Sequence, residues 1–302
     1  MFGIPWASLP YAGSPAVSYP AAGASEKVLF MNGEASDAAT ITANASASMP
    51  VVNLQNMQPA KRWRSSATTD YLTLTFASPI AANAIMFNAC NFSDAAVVRV
   101  RGYRTAADMA VPQNEVVDTN WSSVWPLNFK PRLTSWPRYM AGLRWSNAAA
   151  LQYWRVDLVD GGGGTTYLEA GRLVLAAYWQ PTANADIDGS IGFECADVQV
   201  RSPFGNIYTD ARRTGRGFEL KFSATEWRDA FDLFGEMQRR RGMAKDVICI
   251  IDPASTTDFQ RFALHGVITS VGKLVPTPQW SGTTAGGQML WSFTITLSEL
   301  LD

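Results

Sequence analysis

The sequence predicts a mainly β chain arranged as two β-sandwich domains, and three observations predict it. Apolar and polar side chains alternate along several runs. Leu72, Leu74 and Phe76 alternate with Tyr71, Thr73 and Thr75; Val98 and Val100 with Arg99 and Arg101; Trp291, Phe293, Ile295 and Leu297 with Ser292, Thr294, Thr296 and Ser298. A period of two is that of a strand with one face buried. Turn formers punctuate these runs, among them Pro79, Asn91, Ser93, Asp94 and Gly102, as in an antiparallel sandwich of short strands. Finally, the 302 residues suffice for two domains at roughly 100–200 residues each, and a linker-like stretch, Gln180-Pro181-Thr182-Ala183-Asn184-Ala185-Asp186, lies between the two halves.

Residues 1–25 read as an extended arm. Pro5, Pro10, Pro15 and Pro20 recur with Trp6, Tyr11 and Tyr19 between them, and proline favours extended backbone over helix. Three large rings in a segment without charged side chains are candidate contacts for a neighbouring subunit; an arm folded back on its own domain is the other reading. Residues 26–179 form the first domain, interrupted over 103–150 by a stretch of poor periodicity carrying Trp121, Trp125, Trp136 and Trp145 with four prolines. Long irregular stretches of this kind commonly serve function.

Residues 180–189 are the linker and 190–302 the second domain, with strands expected at 218–222, 247–251, near 261–268 and 291–298. One helix is expected over about 224–241. Ser223 and Glu226 have capping-box spacing, while Trp227, Ala230, Phe231, Phe234 and Met237 recur at helical spacing. Trp227 and Phe231 are expected to pack on the helix's own sheet. Arg239–Arg241 suit the helix C-terminus, and Gly242 can end it.

Composition narrows the function. A 47% apolar fraction supports a packed core, and 11 tryptophans in a chain only 17% charged favour buried or interfacial aromatics. Net charge is −1, which disfavours a sequence-independent nucleic-acid binder. Residues 201–245 are locally basic, as expected of a solvated face or an acidic neighbour. Cys90, Cys195 and Cys249 form neither a disulfide framework nor a metal signature, and reduced thiols fit assembly in a cytoplasm. No leader peptide is expected, and no apolar stretch of about 18 residues predicts a membrane span.

The residues that could carry chemistry read as structural. His265, the single histidine, would have to serve any Ser-His-Asp or Cys-His catalyst; its place at the end of an apolar strand argues for packing. One histidine and scattered cysteines do not make a zinc set. Asp186-Ile187-Asp188-Gly189 lacks the further ligands of a calcium loop. Gly161–Gly164 lacks the following Lys-Ser/Thr of a phosphate loop and reads as a hairpin turn. Asp157 and Asp160 could form an acid pair, but Arg155 and Arg172 are nearby as partners. No enzyme, cofactor or metal is expected. The ambiguous feature is the tryptophan-rich stretch, where Trp121, Trp125 and Trp136 with Asn120, Asn128 and Arg132 could stack on a sugar or pack on another protein.

A family resemblance rests on an ordered series of residues. Asn53-Leu54, Lys61-Arg62-Trp63-Arg64-Ser65, Tyr71–Phe76, Asn91-Phe92-Ser93, Ala96–Arg101, Tyr153–Asp160 and Glu169–Leu175 resemble a discoidin-like (galactose-binding-like) domain of siphophage and prophage tail-tip proteins. Arg216–Phe222, the 223–241 helix, Val247–Pro253 and Trp291–Leu300 resemble distal-tail and minor-tail proteins, although the domain order is reversed relative to the better-known distal tail proteins. The resemblance implies a structural component of a tail tip or baseplate: a ring, six-membered in that family, joining tail tube to baseplate or receptor-binding proteins. Its implied partners are copies of itself and the tail-tube, tape-measure and baseplate-hub proteins. Its implied location is the virion tail, assembled in a bacterial cytoplasm. Sequence-specific nucleic-acid binding and membrane insertion are not implied. The alternative is a carbohydrate-binding module that recognises a host-surface glycan.

Overall fold

The computed structural model describes residues 26–46, 48–111, 113–125, 139–162, 166–186, 188–195, 197–211, 213–255, 258–280 and 289–301. The strands in chain order are β1 (Leu29–Asn32), β2 (Thr40–Ala43), β3 (Trp63–Arg64), β4 (Thr69–Cys90), β5 (Ala96–Tyr103), β6 (Val117–Asp118), β7 (Ser122–Ser123), β8 (Tyr139–Asp160), β9 (Glu169–Ala170), β10 (Arg172–Ala176), β11 (Ser190–Glu194), β12 (Val198–Arg201), β13 (Ile207–Asp210), β14 (Gly215–Thr225), β15 (Asp246–Ile250), β16 (Ala263–Val271), β17 (Val275–Trp280) and β18 (Met289–Glu299). The helices are α1 (Glu34–Ala38), α2 (Ala106–Met109), α3 (Glu236–Arg241) and α4 (Phe259–Phe262). The protein is thus mainly β. It divides into two compact units, one built from Gly33–Asn56 and Lys61–Tyr178, the other from β1, Met57–Ala60 and the chain from Trp179 onward.

The first unit is a β-sandwich whose main sheet runs β10-β4-β8-β5-β6, with β2 on β4 and β7 on β5. The strands β4 and β8 pair antiparallel along most of their length, with register shifts between Thr75 and Ile80, Ala82 and Ala84, and Phe87 and Cys90. Bulges bend a strand and increase its twist. Both halves of β4 and β8 then face one core: Leu72, Leu74 and Phe76, then Ile85 and Phe87, with Leu143, Trp145, Trp154 and Val156. The expected alternation of β5 holds, Val98 and Val100 being fully buried. On its polar face the Arg155 guanidinium lies 3.8 Å from the Tyr71 ring centroid, a cation–π contact between paired strands.

Two expectations change in this unit. Residues 26–32, read as part of the first domain, contribute β1 to the other unit's sheet, where Phe30 stacks on Trp179. The irregular stretch 103–150 ends in regular structure, because 139–150 belongs to β8. Small residues such as Ala148, Ala149 and Ala150 hide the period-two signal of that strand.

The second unit is an antiparallel sheet ordered β1-β15-β16-β18-β14-β11, with β17 on β18. Phe218, Leu220 and Phe222 of β14 and Phe293, Ile295 and Leu297 of β18 are buried, as their alternation predicts. Phe293 is the middle of a three-ring stack, its centroid 4.8 Å from Phe222 and 4.3 Å from Phe234. Phe234 comes from the helical segment, which begins as a π-helix, Arg228–Gly235, and continues as α3. The helix therefore starts later than expected. Thr225 still belongs to β14, and Ser223 donates its hydroxyl to Asp186 rather than capping a helix. Gly242 ends the helix at φ 53°, its amide donating to the Gln238 carbonyl at 2.7 Å. The linker is anchored within this unit: the Thr182 amide donates to Asp229, and the Val28 amide to Asn184.

Removing the middle ring of the stack leaves a cavity between two aromatic faces. Phe293→Ala is expected to cost about 3–5 kcal/mol in denaturant unfolding. Phe204→Ala, at a solvent-exposed turn, is expected to change stability by less than about 0.5 kcal/mol.

Candidate functional site

The most distinctive surface of the molecule is the edge of the second unit's sheet and the hairpin that follows it. In β11, Ile191 pairs with Phe218 and Phe193 with Arg216. Directly paired residues share a sheet face, so Ile191 and Phe193 extend the face that buries Phe218. Among the described residues nothing covers that extension: every residue of β11 is exposed, Phe193 at 70%.

The chain then forms the isolated two-stranded sheet β12–β13. Val200 pairs with Tyr208 and Val198 with Asp210, which places Val198, Val200 and Tyr208 on one face. Arg201, Ile207, Gln199 and Thr209 take the other. The turn Ser202-Pro203-Phe204-Gly205-Asn206 is closed by the Ser202 amide donating to the Asn206 carbonyl at 2.8 Å. Gly205 sits at φ 84°, a conformation suited to glycine. The turn holds Phe204 at its tip with 93% of its surface exposed. Both strands are fully exposed. A two-stranded hairpin is marginal in water by itself, and clustered exposed apolar side chains mark interaction sites. Sequence reading passed over this feature as part of a basic segment. The usable signal was the pair Val198/Val200 and Ile207/Tyr208 around a Pro-Phe-Gly-Asn turn.

The aromatic candidates separate. Trp121 is 49% exposed and follows Asn120, whose φ is 54°. Trp125 is not an exposed contact. It is fully buried, donates its indole N–H to the Ser93 carbonyl at 2.7 Å, and meets Tyr139 edge to face. Its apolar ring completes the first core, so it cannot form a sugar platform with Trp121. Trp6, Tyr11, Tyr19, Trp136, Asn128 and Arg132 lie outside the described residues. Trp227 and Phe231, expected on the packed helix face, are 52% and 38% exposed. Ala230, Phe234 and Met237 are the residues that face the core.

The titratable side chains weighed for chemistry are engaged by neighbouring groups. His265 is buried, with Nε2 2.8 Å from Asp246 Oδ2, and Arg241 Nη2 lies 2.8 Å from the other carboxylate oxygen. Asp157 accepts from Arg101 at 2.6 Å and Arg155 at 2.9 Å, and Asp160 accepts from Ser93 and from the Gly162 amide. Arg172 is fully buried, 2.6 Å from Asp37. Asp188 pairs with Lys221. Burial pushes the Cys249 thiol up. Hydrogen bonds from Arg239 and Arg240 draw the Glu236 carboxyl down to about 2.

Burial would push the Glu169 carboxyl up, but hydrogen bonds from Arg62 and Arg64 outweigh it and hold the group below its ordinary value. The same balance of burial against the Arg99 guanidinium lowers Asp118. Each of these arrangements ties strands together, as β3 to β9 and β5 to β6.

No protein-family model matches the sequence, and no curated protein matches it. Among solved structures, the chain is similar to a family 32 CBM from C. perfringens NanJ in complex with galactose: 11% identity, 50% of this chain, 99% of that chain, TM-score 0.34. It is also similar to the family 32 CBM of AlyQ in complex with 4,5-unsaturated mannuronic acid, at 14% identity, 45% and 92% coverage and TM-score 0.33. The lectin domain of lectinolysin complexed with Lewis B antigen gives 8% identity, 46% and 92% coverage and TM-score 0.31. The two CBM domains are of the discoidin-like, galactose-binding-like kind. The sugars named are ligands of those domains.

Glu169→Gln is expected to cost roughly 2 kcal/mol at neutral pH, the scale of a hydrogen bond to a charged group. Because the folded carboxyl titrates lower than the unfolded one, its contribution is present above the unfolded pKa, near 4.5. It is lost as pH falls through the folded value. Unfolding midpoints of variant and parent should therefore converge in acid.

Proposed function

We propose that this chain is a structural assembly protein that works by docking on other subunits rather than by catalysis. The observation that carries the reading is apolar surface left uncovered among the described residues: Ile191 and Phe193 of β11, on the core face of β14, and the exposed β12–β13 hairpin. Such a surface is costly in a protein that stays alone, and edge strands invite pairing with another chain. The engagement of His265, Asp157 and Asp160 by neighbouring side chains and backbone supports a non-enzymatic role. The sequence resemblance supplies the setting: a ring at a phage tail tip, between tail tube and baseplate, with copies of itself and tail components as partners. Closed rings follow from heterologous contacts when the rotation closes.

A second reading is glycan recognition by the first unit, in which Trp121 would offer a ring face to a sugar. Mass photometry beside a glycan array separates the two. The assembly reading expects oligomers growing with concentration, and no glycan retention that Trp121→Ala abolishes. A monomer at every concentration, with retention lost in Trp121→Ala, would overturn it in favour of the glycan reading.

A further inference from the structure

We propose that the β12–β13 hairpin docks on the aromatic patch at the far end of the same unit in a second copy of this chain. This inference rests on the assembly reading above and names its partner.

The patch is formed by Trp227, Phe231 and Trp291, with Met289 beside them. Trp227 and Phe231 lie 6.0 Å apart between ring centroids, and Phe231 meets Trp291 edge to face at 4.8 Å. Trp227, Phe231 and Met289 are all exposed. Among the described residues, the second unit therefore carries two separate apolar surfaces, a projecting hairpin tipped by Phe204 and an aromatic platform.

Topology keeps the two apart within one molecule. The hairpin leaves from the start of β14, where Glu194 pairs with Gly215. The platform lies at its other end, where Thr225 pairs with Trp291. An eleven-residue strand separates them, roughly 35 Å at 3.3 Å per residue. Among the described residues each surface is left open, and a neighbouring copy supplies the complement of each.

Charge agrees with shape. Arg201 is exposed beside the hairpin tip while the hairpin's exposed carboxylate, Asp210, sits at its base opposite Val198, so the tip itself is positive; Glu226 and Asp232 are exposed around Trp227 and Phe231. Arg228 shares that turn, so these three exposed charges leave the platform with a balance of one negative charge. The contact is head to tail: each copy gives its hairpin to one neighbour and its platform to the next. Repetition yields a ring when the rotation closes and a filament when it does not.

Phe204→Glu and Trp227→Glu test the contact in the full chain. Both side chains point to solvent, so unchanged circular dichroism and melting are expected; Val200→Glu, on the hairpin's apolar face, is a second hairpin variant. Wild-type chain should form oligomers by mass photometry, and each variant alone should be monomeric. Mixing the two variants should give a discrete heterodimer, because one intact hairpin and one intact platform remain in the pair. Oligomers that persist unchanged in every variant would overturn this contact while leaving the assembly reading in place. A wild-type chain that stays monomeric at its highest soluble concentration would overturn self-docking, and the array result above would then decide whether the assembly reading falls with it.

Discussion

Side-chain alternation along β14 and β18 is the constraint on which the second unit depends. It aligns Phe218, Leu220 and Phe222 with Leu297, Ile295 and Phe293 on one face. That face requires a cover, and the helical segment provides it through Ala230, Phe234 and Met237. The cover is short. It reaches the Phe222–Phe293–Phe234 stack but leaves Ile191 and Phe193 exposed at the β11 edge. One rule thus builds the core and leaves an apolar edge uncovered among the described residues. The exposed β12–β13 hairpin follows that edge in the chain as a separate two-stranded sheet.

Charge serves the fold in both units. The Asp246 carboxylate joins Arg241, at the helix C-terminus, to His265 on β16. In the first unit Glu169 draws in Arg62 and Arg64, and Asp157 draws in Arg101 and Arg155. A carboxylate held by two guanidiniums is well suited to fixing strand register, and at Glu169 the pair also holds the carboxyl below its ordinary value. The local excess of basic residues over 201–245 has a similar explanation in part. Arg216 is clamped to Glu299, and Arg239, Arg240 and Arg241 all have carboxylate partners.

Much of the fold was legible in the sequence because its strands follow strict alternation. The buried faces of β5, β14 and β18 and the stop at Gly242 could be read directly. The failures have physical causes. The start of β8 is rich in small and aromatic residues with no clean period, so it passed for a loop. The short β1 pairs with β15, more than two hundred residues away in sequence, and no local pattern encodes such a partner. The π-helical geometry of 228–235 changes the spacing of side chains, so a reading at 3.6 residues per turn placed Trp227 and Phe231 on the buried face. In the candidate site, tryptophan content drew attention to Trp125, which the core consumes. The hairpin was overlooked because its alternating run is only a few residues on each side of the turn.

The self-docking account stands or falls on whether the β12–β13 hairpin is covered by a second copy. Hydrogen exchange at the Val198–Asp210 amides, followed over a range of protein concentration, measures this directly. An isolated two-stranded hairpin opens readily and exchanges fast. The account predicts that protection of these amides rises with concentration while that of β14 and β18 stays constant. Fast exchange that is independent of concentration, in a sample that nonetheless forms oligomers, would contradict it.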